Sequence, residues 1–201
     1  MTKPLIGLLV IMLGVVFAGC GNTAKVIQAR TQSEKTDIFK EIKDEGKIPK
    51  GFAELTIKAH IKTHIEGYYI LESNESQHGR QKYPFIVNID GQAEQWEVDG
   101  IRYVKPAYEA DGNTSTDPEA REGVKYILEK KVQLTAGPHK IFFGLPEDKY
   151  FTEVQITLNE GEASTIEFKP VYRTKRIPAR MPNFMKGIDK YEVFLNGKQI
   201  S

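Results

Sequence analysis

The chain has 201 residues, with 28 Lys and Arg against 27 Asp and Glu, 40% hydrophobic residues and a single cysteine. That length supports one domain with a sizeable core plus a tether. The even charge carries no excess of basic residues that would call for a nucleic-acid partner. A lone cysteine excludes an internal disulfide, so apolar burial and sheet hydrogen bonds must carry the fold.

Lys3 precedes an uncharged, mostly apolar run over residues 4–17, and the small residues Ala18 and Gly19 then precede Cys20. This order is the layout of a secretory signal peptide, and the run is too short to span a bilayer. Val16-Phe17-Ala18-Gly19-Cys20 resembles the lipobox of a bacterial lipoprotein precursor, with Phe17 where the box favours an aliphatic residue. The resemblance implies removal of residues 1–19, acylation of Cys20 as the mature N-terminus and attachment to the cell envelope through that lipid. Gly21 rather than Asp after the cysteine implies the outer membrane, facing periplasm or surface, in a Gram-negative envelope. Several acyl chains anchor stably where one is marginal. The alternative reading of the same residues is an ordinary cleaved signal that leaves a spectator thiol.

Residues 20–50 read as the lipidated N-terminus and a solvated spacer, because charges of both signs surround the single aromatic Phe39. Ile38 and Ile42 share one helical face, a thin pattern for a helix over 24–47. A flexible chain of this length reaches about 30 Å. Pro49 and Gly51 mark the start of the folded domain, 51–201.

The clearest strand follows over 54–66, where Leu55, Ile57, Ala59, Ile61 and Ile65 alternate with Thr56, Lys58, His60, Lys62 and His64. His60 and His64 invite a metal reading, since histidines four apart on a helix clamp one zinc ion. On a strand they stand roughly 13 Å apart, too far for two bonds of about 2.1 Å to one ion. Both are expected as exposed surface histidines. An apolar run over 67–71 leads through a polar loop to a strand over 83–89, which turns at Asp90-Gly91. Asp99-Gly100 then predicts a hairpin that sets Trp96 and Val98 against Ile101 and Tyr103. Trp96, Tyr103 and Tyr108 are candidate stacking platforms for a glycan, with a core position as the alternative for Trp96.

Residues 106–123 have no apolar period. Asp111, Asn113, Ser115, Asp117, Glu119 and Glu122 fall at positions 1, 3, 5, 7, 9 and 12 of a calcium loop. Thr116 stands where that loop needs glycine, and Pro118 where it carries an apolar residue. The alternatives are a Ca²⁺ site, with calcium-dependent adhesion, and an acidic surface loop between strands.

Beyond this loop, 124–134 reads as a strand with a bulge near Lys130 and Lys131. Strands over 139–145, 154–158, 166–172 and 191–195 follow, divided by Gly137, Gly161 and Asn196-Gly197. Short strands with glycine turns and no long amphipathic helix predict a mainly β chain built as an antiparallel β-sandwich. The run from Leu134 to Phe143, with Gly137 and His139, followed by Val154-Gln155-Ile156-Thr157-Leu158-Asn159-Glu160-Gly161, resembles PEGA-type and related transthyretin-like, Ig-like sandwich modules. Val87-Asn88-Ile89-Asp90-Gly91 is similar to their opening strand and hairpin. The tetrapeptide that names the family is absent. The resemblance implies a non-catalytic spacer or binding platform at a bacterial surface.

Arg173, Lys175, Arg176, Arg180 and Lys186 form a basic strap, 173–187, kept extended by Pro178 and Pro182. It reads either as a contact for lipid headgroup phosphates or as a solvated linker. The four histidines lie near no recognisable nucleophile motif, and no phosphate-cradling glycine loop is present. The expected function is therefore a non-catalytic, lipid-anchored envelope module with a structural or protein-interaction role. The alternative is a glycan or peptidoglycan binder.

Overall fold

The computed structural model describes residues 23–43, 46–105, 108, 110–113, 115, 117–174 and 183–201. The lipobox with Cys20, and residues 175–182 of the basic strap, lie outside the described residues. Among the described residues the chain is mainly β, with one α-helix and ten strands in a curled mixed sheet. No helix there is long and apolar enough to cross a membrane.

The alternation predicted over 54–66 forms a strand at Phe52–Thr63. Its backbone pairs along the full length with Gly123–Thr135, which is antiparallel to it. In chain order these are β2 and β5, because Phe39–Glu41 makes a short β1. Odd positions of β2 face the core, so Leu55 meets Val132, Ala59 meets Leu128 and Ile61 meets Tyr126 as cross-strand pairs. The bulge expected near Lys130 is absent: Thr56 pairs with Lys131 and Ile57 with Lys130 in unbroken register. Lys130 keeps the inward parity of Leu128 and Val132. Its long apolar stem makes this tolerable, carrying the ammonium past the Trp96 ring at 5.9 Å to Glu41 at 2.7 Å.

The hairpin between β3 (Lys82–Ile89) and β4 (Gln92–Tyr103) closes at Asp90 and Gly91, where φ is 51° and 102°. Positive φ at both central residues suits the twist of paired strands. His139 secures this corner, its Nδ1 2.7 Å from Asp90 Oδ2 and its Nε2 2.8 Å from the Thr135 carbonyl oxygen. The second hairpin, expected at Asp99-Gly100, does not form. Instead β4 runs straight through, leaving β3 at Asp99 and pairing with β5 from Gly100 onward. Gly100 answers a close approach rather than a turn, since a Cβ there would lie 2.5 Å from Val124 Cγ1 and 2.8 Å from Tyr126 Cε1.

β6 (Gly137–Leu145) and β7 (Tyr150–Leu158) form an antiparallel hairpin beside β3. β8 (Ala163–Tyr172), β9 (Ile188–Leu195) and β10 (Lys198–Gln199) continue from the opposite side of β2. The strand order is β10-β9-β8-β2-β5-β4-β3-β6-β7, with β1 on β5. One pair corrects the all-antiparallel expectation: β8 runs parallel to β2. Apolar alternation is the same for either direction, so it could not separate the two. Curling brings the ends of this order face to face. Phe143 of β6 stacks on Phe168 of β8 at 4.3 Å between ring centroids and meets Tyr191 of β9 at 5.1 Å. The Tyr191 backbone N–H donates to Tyr150 Oη at 2.8 Å. One aromatic core therefore joins both halves of the sheet.

The described part of the expected spacer is docked on the domain. Helix α1 (Thr23–Arg30) buries Ile27 against Ile86 and Phe142. Phe39 of β1 is buried 6.4 Å from the Trp96 ring, and Gln92 accepts the Ile38 and Phe39 amides at 2.7 and 3.1 Å. The thin helical pattern over 24–47 thus resolves into a short helix and an added strand. Two apolar anchors suffice because each finds a matching hollow, and composition carries no record of that.

Candidate functional site

β2 ends at Thr63, and the loop over 64–81 returns the chain to β3. Its two ends are stitched together: Thr63 Oγ1 donates to the His64 carbonyl at 3.0 Å and accepts the Gly79 amide at 3.0 Å, while Tyr126 Oη donates to the Arg80 carbonyl at 2.7 Å. Stitching sets the His64 and His78 rings edge to face with centroids 5.2 Å apart. Glu72 lies between them, its Oε1 3.3 Å from His64 Nε2 and 3.2 Å from His78 Nδ1. Ser76 Oγ donates to the same oxygen at 2.7 Å and holds the carboxylate in place.

The turn between β6 and β7 supplies a second carboxylate. Asp148 Oδ2 lies 3.4 Å from His78 Nε2 and accepts the Tyr83 hydroxyl. Burial works against a charge on His78, but the Asp148 hydrogen bond and the nearby carboxylates of Asp148, Glu72 and Glu147 outweigh it and raise the imidazole pKa. Burial, then Asp148, pushes the Tyr83 hydroxyl well above its ordinary range. His64, Glu72 and His78 border a cleft of about 240 Å³, whose other walls include Lys62, Tyr69, Phe184 and Met185. Among the described residues, this trio is the group of His, Cys, Asp and Glu donors that converges closely enough to hold a metal, its ligand atoms all within 4.8 Å of one another.

The expectation of two exposed histidines is corrected: His60 on β2 is half-buried, and His64, just past its end, is 6% exposed and covered by its own return loop. His60 serves a separate cluster and shares no ligand position with His64. Its Nε2 is 3.4 Å from Glu119 Oε1, Lys125 Nζ is 2.6 Å from Glu119 Oε2, and Tyr172 Oη donates to Glu119 Oε1 at 2.5 Å. Lys62 donates to the carbonyl oxygens of Glu119 and Arg121 and lies 4.5 Å from the Tyr103 ring centroid. Burial lowers the Lys62 pKa against the attraction of Glu119.

Glu119, at position 9 of the calcium spacing, is thus committed to cations on the sheet. Asp111 accepts both the Asn113 amide at 3.0 Å and its side-chain NH₂ at 2.7 Å. Ser115 accepts the Asp117 amide, and Asp117 accepts the Glu119 amide. These oxygens accept hydrogen bonds of local turns, and Glu122 stands exposed. As a stacking platform Trp96 is corrected: it is 8% exposed, packed between Phe39 and Lys130. Tyr103 and Tyr108 are exposed, Tyr103 beneath Lys62.

Sequence reasoning singled out His64 but placed it on an exposed strand face, and it missed Glu72, His78 and Asp148. No motif joins them, because loop closure through Thr63 and Gly79, rather than spacing, brings them together. Compared with family models, curated proteins and solved structures, the chain finds no match.

Proposed function

We propose that this chain is a non-catalytic cell-envelope module, anchored through a lipid on Cys20, that binds a partner protein with the tip of the loop after β2. The observation supporting the binding surface is that Ile70 and Leu71 are each 98% exposed, beside the half-exposed Tyr68 and Tyr69. Large apolar side chains held together in water mark an interaction site more often than they serve the fold. The base of this tip is fixed: Tyr68 and Tyr69 pack edge to face at 4.9 Å, Tyr69 meets the His64 ring at 4.8 Å, and its hydroxyl donates to the Met185 carbonyl at 3.2 Å. A preorganised tip binds with less loss of chain entropy than a floppy one.

A sandwich of transthyretin-like type is the finer fold reading that goes with this role. The hairpins β3–β4 and β6–β7 support it, and the parallel β2·β8 pair is its departure.

The test is a photo-crosslinking residue placed at Leu71 in living cells. It is expected to give a discrete adduct with one envelope protein, while the same residue at the exposed turn position Glu160 gives none. Crosslinks to lipid alone, or identical patterns from both positions, would refute the docking role.

A further inference from the structure

The two imidazoles of the loop cluster leave an unfinished pattern of donors and acceptors. His64 Nδ1 lies 2.9 Å from the Ile65 carbonyl oxygen, so this nitrogen carries the proton, and Nε2 turns its lone pair toward Glu72 Oε1 at 3.3 Å. His78 repeats the arrangement with its nitrogens exchanged. Its Nε2 faces Asp148 Oδ2 at 3.4 Å, and its Nδ1 faces the same Glu72 oxygen at 3.2 Å. Carbonyl and carboxylate oxygens only accept. With both rings neutral, three electron-rich atoms converge with nothing positive between them; Ser76 donates a hydrogen bond to Glu72 and to neither ring nitrogen.

Protonating His78 alone turns donors toward Glu72 and Asp148 but still leaves the His64 Nε2 lone pair against Glu72. Only protonating both rings would supply every missing donor. It would also place two imidazolium ions with centroids 5.2 Å apart, one of them 6% exposed, and burial and like charge both oppose that. A single cation among the three atoms satisfies all of them at once.

We propose that His64 Nε2, His78 Nδ1 and Glu72 Oε1 hold one divalent transition-metal ion, zinc by donor type. Two imidazoles and one carboxylate suit zinc rather than the all-oxygen surroundings that calcium and magnesium take. The separations of 3.3 and 3.2 Å between Glu72 and the ring nitrogens approach the edge, about 3.4 Å, of a tetrahedron with bonds of about 2.1 Å. Each imidazole rests its other nitrogen on an acceptor, Ile65 carbonyl or Asp148 carboxylate, which is the outer support that fixes tautomer and ring orientation in metal-bound histidine. Three protein ligands leave a fourth position for water or a donor atom of a bound molecule. None of the three ligands is itself the anchoring Cys20 or one of the tip residues Tyr68, Tyr69, Ile70 and Leu71.

The test uses the full chain in detergent, without a polyhistidine tag, stripped with chelator and titrated calorimetrically with zinc chloride. One zinc ion per chain is expected. His78→Gln and Glu72→Gln each weaken binding by about 100-fold or more, and Asp148→Asn, an outer support, by about 10-fold or more. His60→Gln leaves affinity unchanged. Cobalt(II) in place of zinc gives the visible bands of a four-coordinate ion, which His78→Gln abolishes. Glu72 borders the cleft, so Glu72→Gln still decides the matter if a histidine variant fails to fold. No zinc uptake by the wild-type chain, or uptake that survives both Glu72→Gln and His78→Gln, overturns the proposal.

Discussion

Gly79→Ala is expected to destabilise the domain by more than about 3 kcal/mol, a large fraction of the stability of a typical domain. At φ +76° an alanine costs about 1–2 kcal/mol in backbone strain alone. Sterics add the larger part, because the new Cβ would lie 2.1 Å from Glu66 N, 2.4 Å from the Ile65 carbonyl carbon and 2.7 Å from the His64 carbonyl oxygen. Every obstacle is backbone, so no side chain can swing aside. Relief requires the loop to open, which breaks the hydrogen bond from the Gly79 N–H to Thr63 Oγ1 and moves His78 away from His64. Gly161→Ala is the control, since its φ is +74° but nothing lies within 4 Å of the added atom. Urea unfolding should show a modest loss for Gly161→Ala and a collapse of the midpoint for Gly79→Ala. Equal losses would mean that the loop is not closed as described.

Acid should remove a second large contribution, centred on Glu119. Burial opposes ionisation of this carboxyl, but hydrogen bonds from His60, Lys125 and Tyr172 outweigh it and lower its pKa from 4.5 to about 2. A group whose folded pKa is depressed stabilises the fold above its unfolded value and loses that contribution as pH falls through the folded one. Stability from Glu119 is therefore complete above about pH 5 and drains away toward pH 2, by about 3 kcal/mol at most. Glu119→Gln should remove a comparable amount at neutral pH and flatten this part of the pH profile. Unfolding midpoints measured from pH 2 to 7 check it. Profiles of parallel shape for the wild-type chain and the variant would exclude Glu119 as the titrating group.

Strand existence was legible where one face is buried and the other wet. β2, β6, β7 and β8 carry that alternation plainly, and Asp90-Gly91 and Asn196-Gly197 announced their turns, with φ of 49° and 80° at the second. Asp99-Gly100 carried the same dipeptide signal and misled, because the glycine there makes room for Val124 and Tyr126 instead of reversing the chain. Strand direction was not legible, and neither was the docking of Ile27 and Phe39, since each depends on a partner surface far away in sequence. The metal cluster was hidden for the same reason. His64 lies just past the end of β2, Glu72 and His78 on the irregular loop that follows and Asp148 on a turn 70 residues beyond His78, so no periodicity relates them.

Lipid attachment is tested most directly by feeding cells a palmitate analogue bearing an alkyne and comparing the wild-type chain with Cys20→Ala. The wild-type chain is predicted to carry the label, to begin at Cys20 and to sediment with membranes, and Cys20→Ala to lose both label and sedimentation. A wild-type chain that stays unlabelled, keeps a free Cys20 thiol and remains in the supernatant would contradict the account.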